Sequence, residues 1–138
     1  MPYKDTSVDW LYFAKSDLTA AERLFEEAIY HLVCFHAHQA IEKVLKGALR
    51  NKEQNIPKTH DIVLLFQRVR QPTLASSDDI IFVNRFYIPT RYPDTFPGAL
   101  PEGLPTREDA QKALTIAKSV LETGGSLMRR DLTKPERV

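Results

Sequence analysis

Between Leu32 and Leu49 the chain reads LVCFHAHQAIEKVLKGAL, and Ala37, Ala40, Ile41, Val44, Leu45, Ala48 and Leu49 recur at spacings of three and four. On a helix these residues form one continuous apolar stripe that faces a core. Nearly opposite, Phe35, Gln39, Glu42 and Lys46 share the same spacing, so this helix, closing near Asn51, is expected to have two neighbours. Before it, Thr6 or Ser7 caps a first helix whose face is Trp10, Ala14, Ala21, Phe25 and Ala28, flanked by Leu18 and Leu24. That helix is expected to end near Ala28, with a turn over Ile29 to Leu32, although no Gly or Pro marks the break.

The polar segment KEQNIPK, with Pro57, is a connection. Thr59 then opens a third helix with Ile62, Leu65, Phe66 and Val69 inward, stopped by Pro72. Ser76 and Ser77 followed by Asp78 and Asp79 start a short fourth helix of about three turns, with Ile80, Ile81, Val83, Phe86 and Tyr87 as its apolar positions. Thr106, with Glu108 and Asp109 behind it, opens the last helix, whose inward side is Ala110, Ala113, Leu114, Ala117 and Leu121. Gly124 and Gly125 offer it a left-handed stop. Between the last two helices, Pro89, Pro93, Pro97, Pro101 and Pro105 block regular structure, so PTRYPDTFPGALPEGLP is a long loop. The expectation is an all-α, up-and-down bundle of four to five helices with one long proline-rich loop. It forms a single domain over residues 1–138, with residues 129–138 as a flexible basic tail.

Length supports this: 138 residues bury roughly 70% of the unfolded surface without any staple. Composition changes little. A net charge of +1 and 43% hydrophobic residues fit an ordinary soluble protein and exclude neither nucleic acid nor protein partners. Lys4, Asp5 and Asp9 interrupt any secretory leader, no run reaches a membrane span, and a single cysteine fits a reducing compartment; the expected location is the cytoplasm.

Candidate chemistry is sparse. His31, Cys34 and His38 share a flank of the second helix at a spacing that suits metal ligands, but the flank borders the core, where a buried thiol and histidines need no metal. His36 points elsewhere, toward solvent. No nucleophile motif or phosphate-binding glycine loop is present, and no metal or cofactor is expected. Two polar groups remain: His60 with Asp61 at the start of the third helix, and Arg91 with Tyr92 in the loop. Arg, His and a stacking Tyr suit a phosphate and a base, and they equally suit capping a helix and locking a loop.

Four segments carry a family resemblance: Asp17 to Ala21; HAHQAIEKVLKGAL over residues 36–49; Pro57 with Thr59-His60-Asp61; and Thr90-Arg91-Tyr92-Pro93-Asp94. In that order they resemble the HEPN domain, the higher eukaryotic and prokaryotic nucleotide-binding family. The resemblance implies a compact helical homodimer, in prokaryotes often paired with a minimal nucleotidyltransferase as toxin and antitoxin. It also implies that Arg91, Tyr92, His60 and Asp61 bind a nucleotide or RNA, and that Phe35, Gln39, Glu42 and Lys46 lie at the dimer interface. Many HEPN proteins are metal-independent ribonucleases with an Arg followed after four to six residues by a His on a late helix. No His follows His60 here, and Arg23 and His31 have seven residues between them. The expectation therefore leans away from an enzyme, with a ribonuclease using Arg91 and His60 as the alternative and a structural protein-binding subunit as a third.

Overall fold

The computed structural model describes residues 4–87 and 103–133, with side chains described as far as residue 128. Five helices and no strand occur among the described residues: α1 (Ser7–Glu26), α2 (Tyr30–Asn51), α3 (Ile62–Val69), α4 (Ser77–Asn84) and α5 (Arg107–Thr133). The loop prolines from Pro89 to Pro101, together with Arg91 and Tyr92, lie outside the described residues. None of these helices is long and apolar enough to cross a membrane.

Helix α2 is the spine. Its stripe is buried as its spacing predicts, with Ala37, Ala40, Ile41, Val44 and Leu45 at 0% exposure, and it packs against α1 and α5 with α3 and α4 on a further side. Ala14 and Ala21 from α1, and Ala110, Ala113 and Ala117 from α5, complete the core with Val120 and Met128. Short side chains at these crossings let the backbones approach closely. Two glycines mark the tightest points. A Cβ at Gly47 would stand 2.9 Å from Trp10 Cβ on α1, and one at Gly124 would stand 2.5 Å from Val44 Cγ1 on α2.

The termini follow local chemistry. Thr6 and Asp9 form a reciprocal capping box on α1, and Thr106 and Asp109 form the same pair at the start of α5. Ser76 accepts from Asp79 N–H to cap α4. At the start of α3 the structure moves the cap from Thr59 to Asp61, which accepts from Val63 and Leu64, while Thr59 accepts from the Asp61 N–H. Helix α1 ends at Glu26 because Ala28 turns left-handed, at φ 59°, and the chain re-enters helix at Tyr30. Ala lacks the licence Gly would have there, so this break carries no sequence mark.

Several expectations need correction. Helix α4 covers eight residues, about two turns, and Ile81 is 56% exposed rather than inward. Gly124 and Gly125 do not stop α5; both are buried within it, and α5 continues to Thr133. Residues 129–133, expected in a flexible tail, are thus helical in backbone, and 134–138 lie outside the described residues. Glycine at 124 serves the approach to Val44 rather than a left-handed cap.

Candidate functional site

The polar side of α2 is turned inward. Glu42 is only 4% exposed and accepts from Lys46 Nζ at 2.8 Å, one helical turn along. The connection after α2 returns His60 to the same carboxylate, with His60 Nδ1 at 3.0 Å from Oε2 and 3.2 Å from Oε1. A buried carboxylate needs such donors to remain charged. Lys46 also approaches the Trp10 ring, at 6.0 Å from its centroid.

The His60 ring is 53% exposed and stacks on Tyr87, with centroids 4.7 Å apart and planes 18° apart. Tyr87 also covers His38, at 5.1 Å, and Phe35, at 6.2 Å. His38 is fully buried, and burial lowers its pKa to about 4. Its Nε2 meets Asn84 Oδ1 at 3.3 Å. The same Asn84 accepts from the Ile62 N–H and donates through Nδ2 to Asp61. Helices α2, α3 and α4 therefore share a polar network in two halves, one centred on Glu42 and opening to solvent at His60, the other centred on Asn84, with Tyr87 packed on the histidine of each.

Among the residues expected in a site, His60 and Asp61 are brought to this network in different roles. Asp61 caps α3 and steadies Asn84; His60 presents a ring face and, among the described residues, an Nε2 without a partner. Arg91 and Tyr92 lie outside the described residues. Of the line expected at a dimer interface, Glu42 and Lys46 are already buried by the chain's own residues. Phe35 and Gln39 are half-buried, the latter 3.5 Å from Glu42 through Nε2. Sequence reasoning did not connect Glu42 with His60, or His38 with Asn84. A Glu four residues before a Lys hints only at the pairing of Glu42 with Lys46, since that spacing pairs charges on a helix; nothing local points from Glu42 to His60.

The metal-like flank resolves differently. Cys34 is buried, and burial, with Asp109 nearby, pushes its thiol up to about 12, which keeps it protonated and inert. No group of three or more His, Cys, Asp or Glu among the described residues is placed to hold a metal. His36, expected to point to solvent, is instead held by Asp17 of α1, which also binds Lys43 Nζ. Burial opposes the Asp17 carboxylate, but the hydrogen bonds from His36 and Lys43 outweigh it and hold its pKa below the usual value.

A depressed folded-state pKa contributes stability that is fully present above the unfolded value, near 3.9. That contribution is lost as pH falls through the folded-state value. Asp17→Asn is therefore expected to lower the urea midpoint at pH 6, with the gap to the parent chain closing below about pH 4. A gap unchanged down to pH 2.5 would show that the ion cluster does not stabilise the α1–α2 contact.

Residues 7–127 match the family described as the HEPN domain. The chain belongs to the HEPN domain family. Among solved structures, it is similar to that of ST0689, an archaeal HEPN homologue, at 26% identity and a TM-score of 0.72, covering 90% of this chain and 98% of that one. It is also similar to TT1696 from Thermus thermophilus, at 30% identity and a TM-score of 0.73, covering 87% of this chain and 96% of that one. No curated protein shows a significant match. The HEPN match spans both halves of the polar network, Glu42 with His60 and His38 with Asn84.

Proposed function

We propose that this HEPN protein is a nucleotide- or RNA-binding module, acting as the partner of a minimal nucleotidyltransferase in a toxin–antitoxin-like pair. The observation that carries the binding half is the mounting of His60. Its Nδ1 is engaged by a buried carboxylate, one ring face rests on Tyr87, and half of the ring is open to solvent. A ring fixed in this way suits stacking against a base, and its free edge suits a phosphate oxygen. Arg91 and Tyr92 follow soon after Tyr87 in the chain and are the proposed phosphate and stacking partners. The proposed dimer contact uses the part of the α2 line left accessible, Phe35 and Gln39.

A second reading draws on the same pair of residues. In the neutral imidazole the bond to Glu42 holds the proton on Nδ1 and leaves Nε2 bare, the arrangement a general base requires. With Arg91 as a phosphate clamp, this would be a metal-independent ribonuclease lacking the late-helix Arg and His pair.

Calorimetric titration with ATP, GTP and a short single-stranded RNA tests both. Binding of at least one ligand is expected, weakened at least about fivefold by His60→Ala, the lower end of a stacking contribution. Absence of binding to all three sinks the first reading in favour of a structural subunit. Intact RNA after long incubation sinks the second.

A further inference from the structure

His38 sits at 0% exposure, and its Nδ1 has no hydrogen-bond partner among the described residues. Such atoms are rare in folded proteins, because a buried acceptor without a donor is costly. Which kind of partner it needs depends on where the ring carries its proton, and the neighbours settle that. Asn84 cannot be reversed: its Oδ1 accepts from the Ile62 N–H at 3.1 Å, and its Nδ2 donates to Asp61 Oδ1 at 3.2 Å. Turning the amide would set N–H against N–H and oxygen against a carboxylate. Oδ1 therefore faces His38, and Nε2, 3.3 Å away, must donate to it. The neutral ring then leaves Nδ1 as a bare acceptor.

Facing that nitrogen is a second acceptor, Glu42 Oε1, at 3.9 Å. Neither atom has a hydrogen to offer the other, and the separation is too long for a direct bond in any case. An oxygen about 2.8 Å from each would span it. Lys46 donates to Oε2, and His60 and Gln39 reach Oε1 at 3.2 and 3.5 Å, so none of these donors is aimed at Nδ1 and the hydrogen it lacks must come from a further group. We infer that His38 Nδ1 and Glu42 Oε1 form a buried seat for a single water molecule, which donates one hydrogen to each. Two polar partners are the least that a buried water normally has, and this pair provides them. The seat completes a continuous chain from Asn84 through His38, water and Glu42 to His60, so that the exposed imidazole is oriented from the core of α2.

Two measurements on the full chain test this without reference to any ligand. Long-range proton–nitrogen spectra at pH 7 should show His38 protonated at Nε2 and bare at Nδ1, its signals assigned by elimination with His31→Ala, His36→Ala and His60→Ala. A high-resolution crystal structure from ammonium-free solution should show one ordered oxygen within hydrogen-bond reach of both His38 Nδ1 and Glu42 Oε1. A proton on Nδ1, a direct His38–Glu42 contact, or no density between the two acceptors would each overturn the inference.

Discussion

An alanine at position 42 is expected to destabilise the fold by about 3–5 kcal/mol, the range for removing one partner of a buried ion pair. Glu42 is 4% exposed, and its loss strands Lys46, whose side chain is 11% exposed, with the Trp10 ring at 6.0 Å as its remaining attraction among the described residues. Even a desolvated cation–π contact is worth only about 2 kcal/mol, and at the outer limit of its range it does not replace the lost carboxylate. His60 would lose its anchor in the same step. Urea unfolding followed by circular dichroism measures the effect. Glu42→Leu combined with Lys46→Met should recover most of the loss, because both charges then leave together. A single-mutant cost below 1 kcal/mol would mean that water reaches this pair freely.

Gly124→Ala is expected to cost about 1–2 kcal/mol, although Ala is the better helix former. The propensity gain for replacing Gly inside a helix is about 1 kcal/mol. Against it stands a Cβ placed 2.5 Å from Val44 Cγ1, on a β-branched side chain at 0% exposure that has no free rotamer to swing into. Overpacking of this kind costs about 1–3 kcal/mol, and at 2.5 Å the upper part of that range applies, so the clash wins. The thermal midpoint of Gly124→Ala should fall, whereas on a Val44→Ala background, itself destabilised by the lost core methyls, adding Gly124→Ala should cost much less. A stabilised single variant would show that α5 shifts away from α2 at little expense.

The bundle was legible because its strongest signal is local. Apolar residues at spacings of three and four lie along α2 from Ala37 to Leu49, and hydroxyl or acid caps precede α1, α4 and α5. The misplacements arise where two local options are nearly equivalent. Thr59 and Asp61 both suit a cap, and packing chose the one that Asn84 also holds. Gly124 and Gly125 suit a helix end or a close crossing, and only the position of Val44 decides between them.

The candidate site was half legible for a different reason. His60 and Asp61 stand out as a polar pair after Pro57, but the carboxylate that holds His60 is 18 residues upstream on α2, where periodicity gives it a second contact face without saying which residue meets it. Binary patterning counts Glu42 and Lys46 as polar, and therefore as outward, whereas a mutually neutralised pair can be buried. The same blindness hid Asn84, whose importance lies entirely in what it joins: the N-terminus of α3, Asp61 and His38.

Helix α3 is tied at both ends by side chains that do not belong to it. Asn84 of α4 takes the Ile62 N–H at its start, and Lys52, just past α2, donates to the Val69 carbonyl at its end. Eight residues are too few for a helix to persist in water alone. The segment that carries His60 thus has no independent folding equilibrium: it opens when its neighbours open and closes when they close. Amide exchange along α3 should accordingly follow that of α2, and a change deep in the spine would be read out at the exposed imidazole as a change in occupancy rather than in shape.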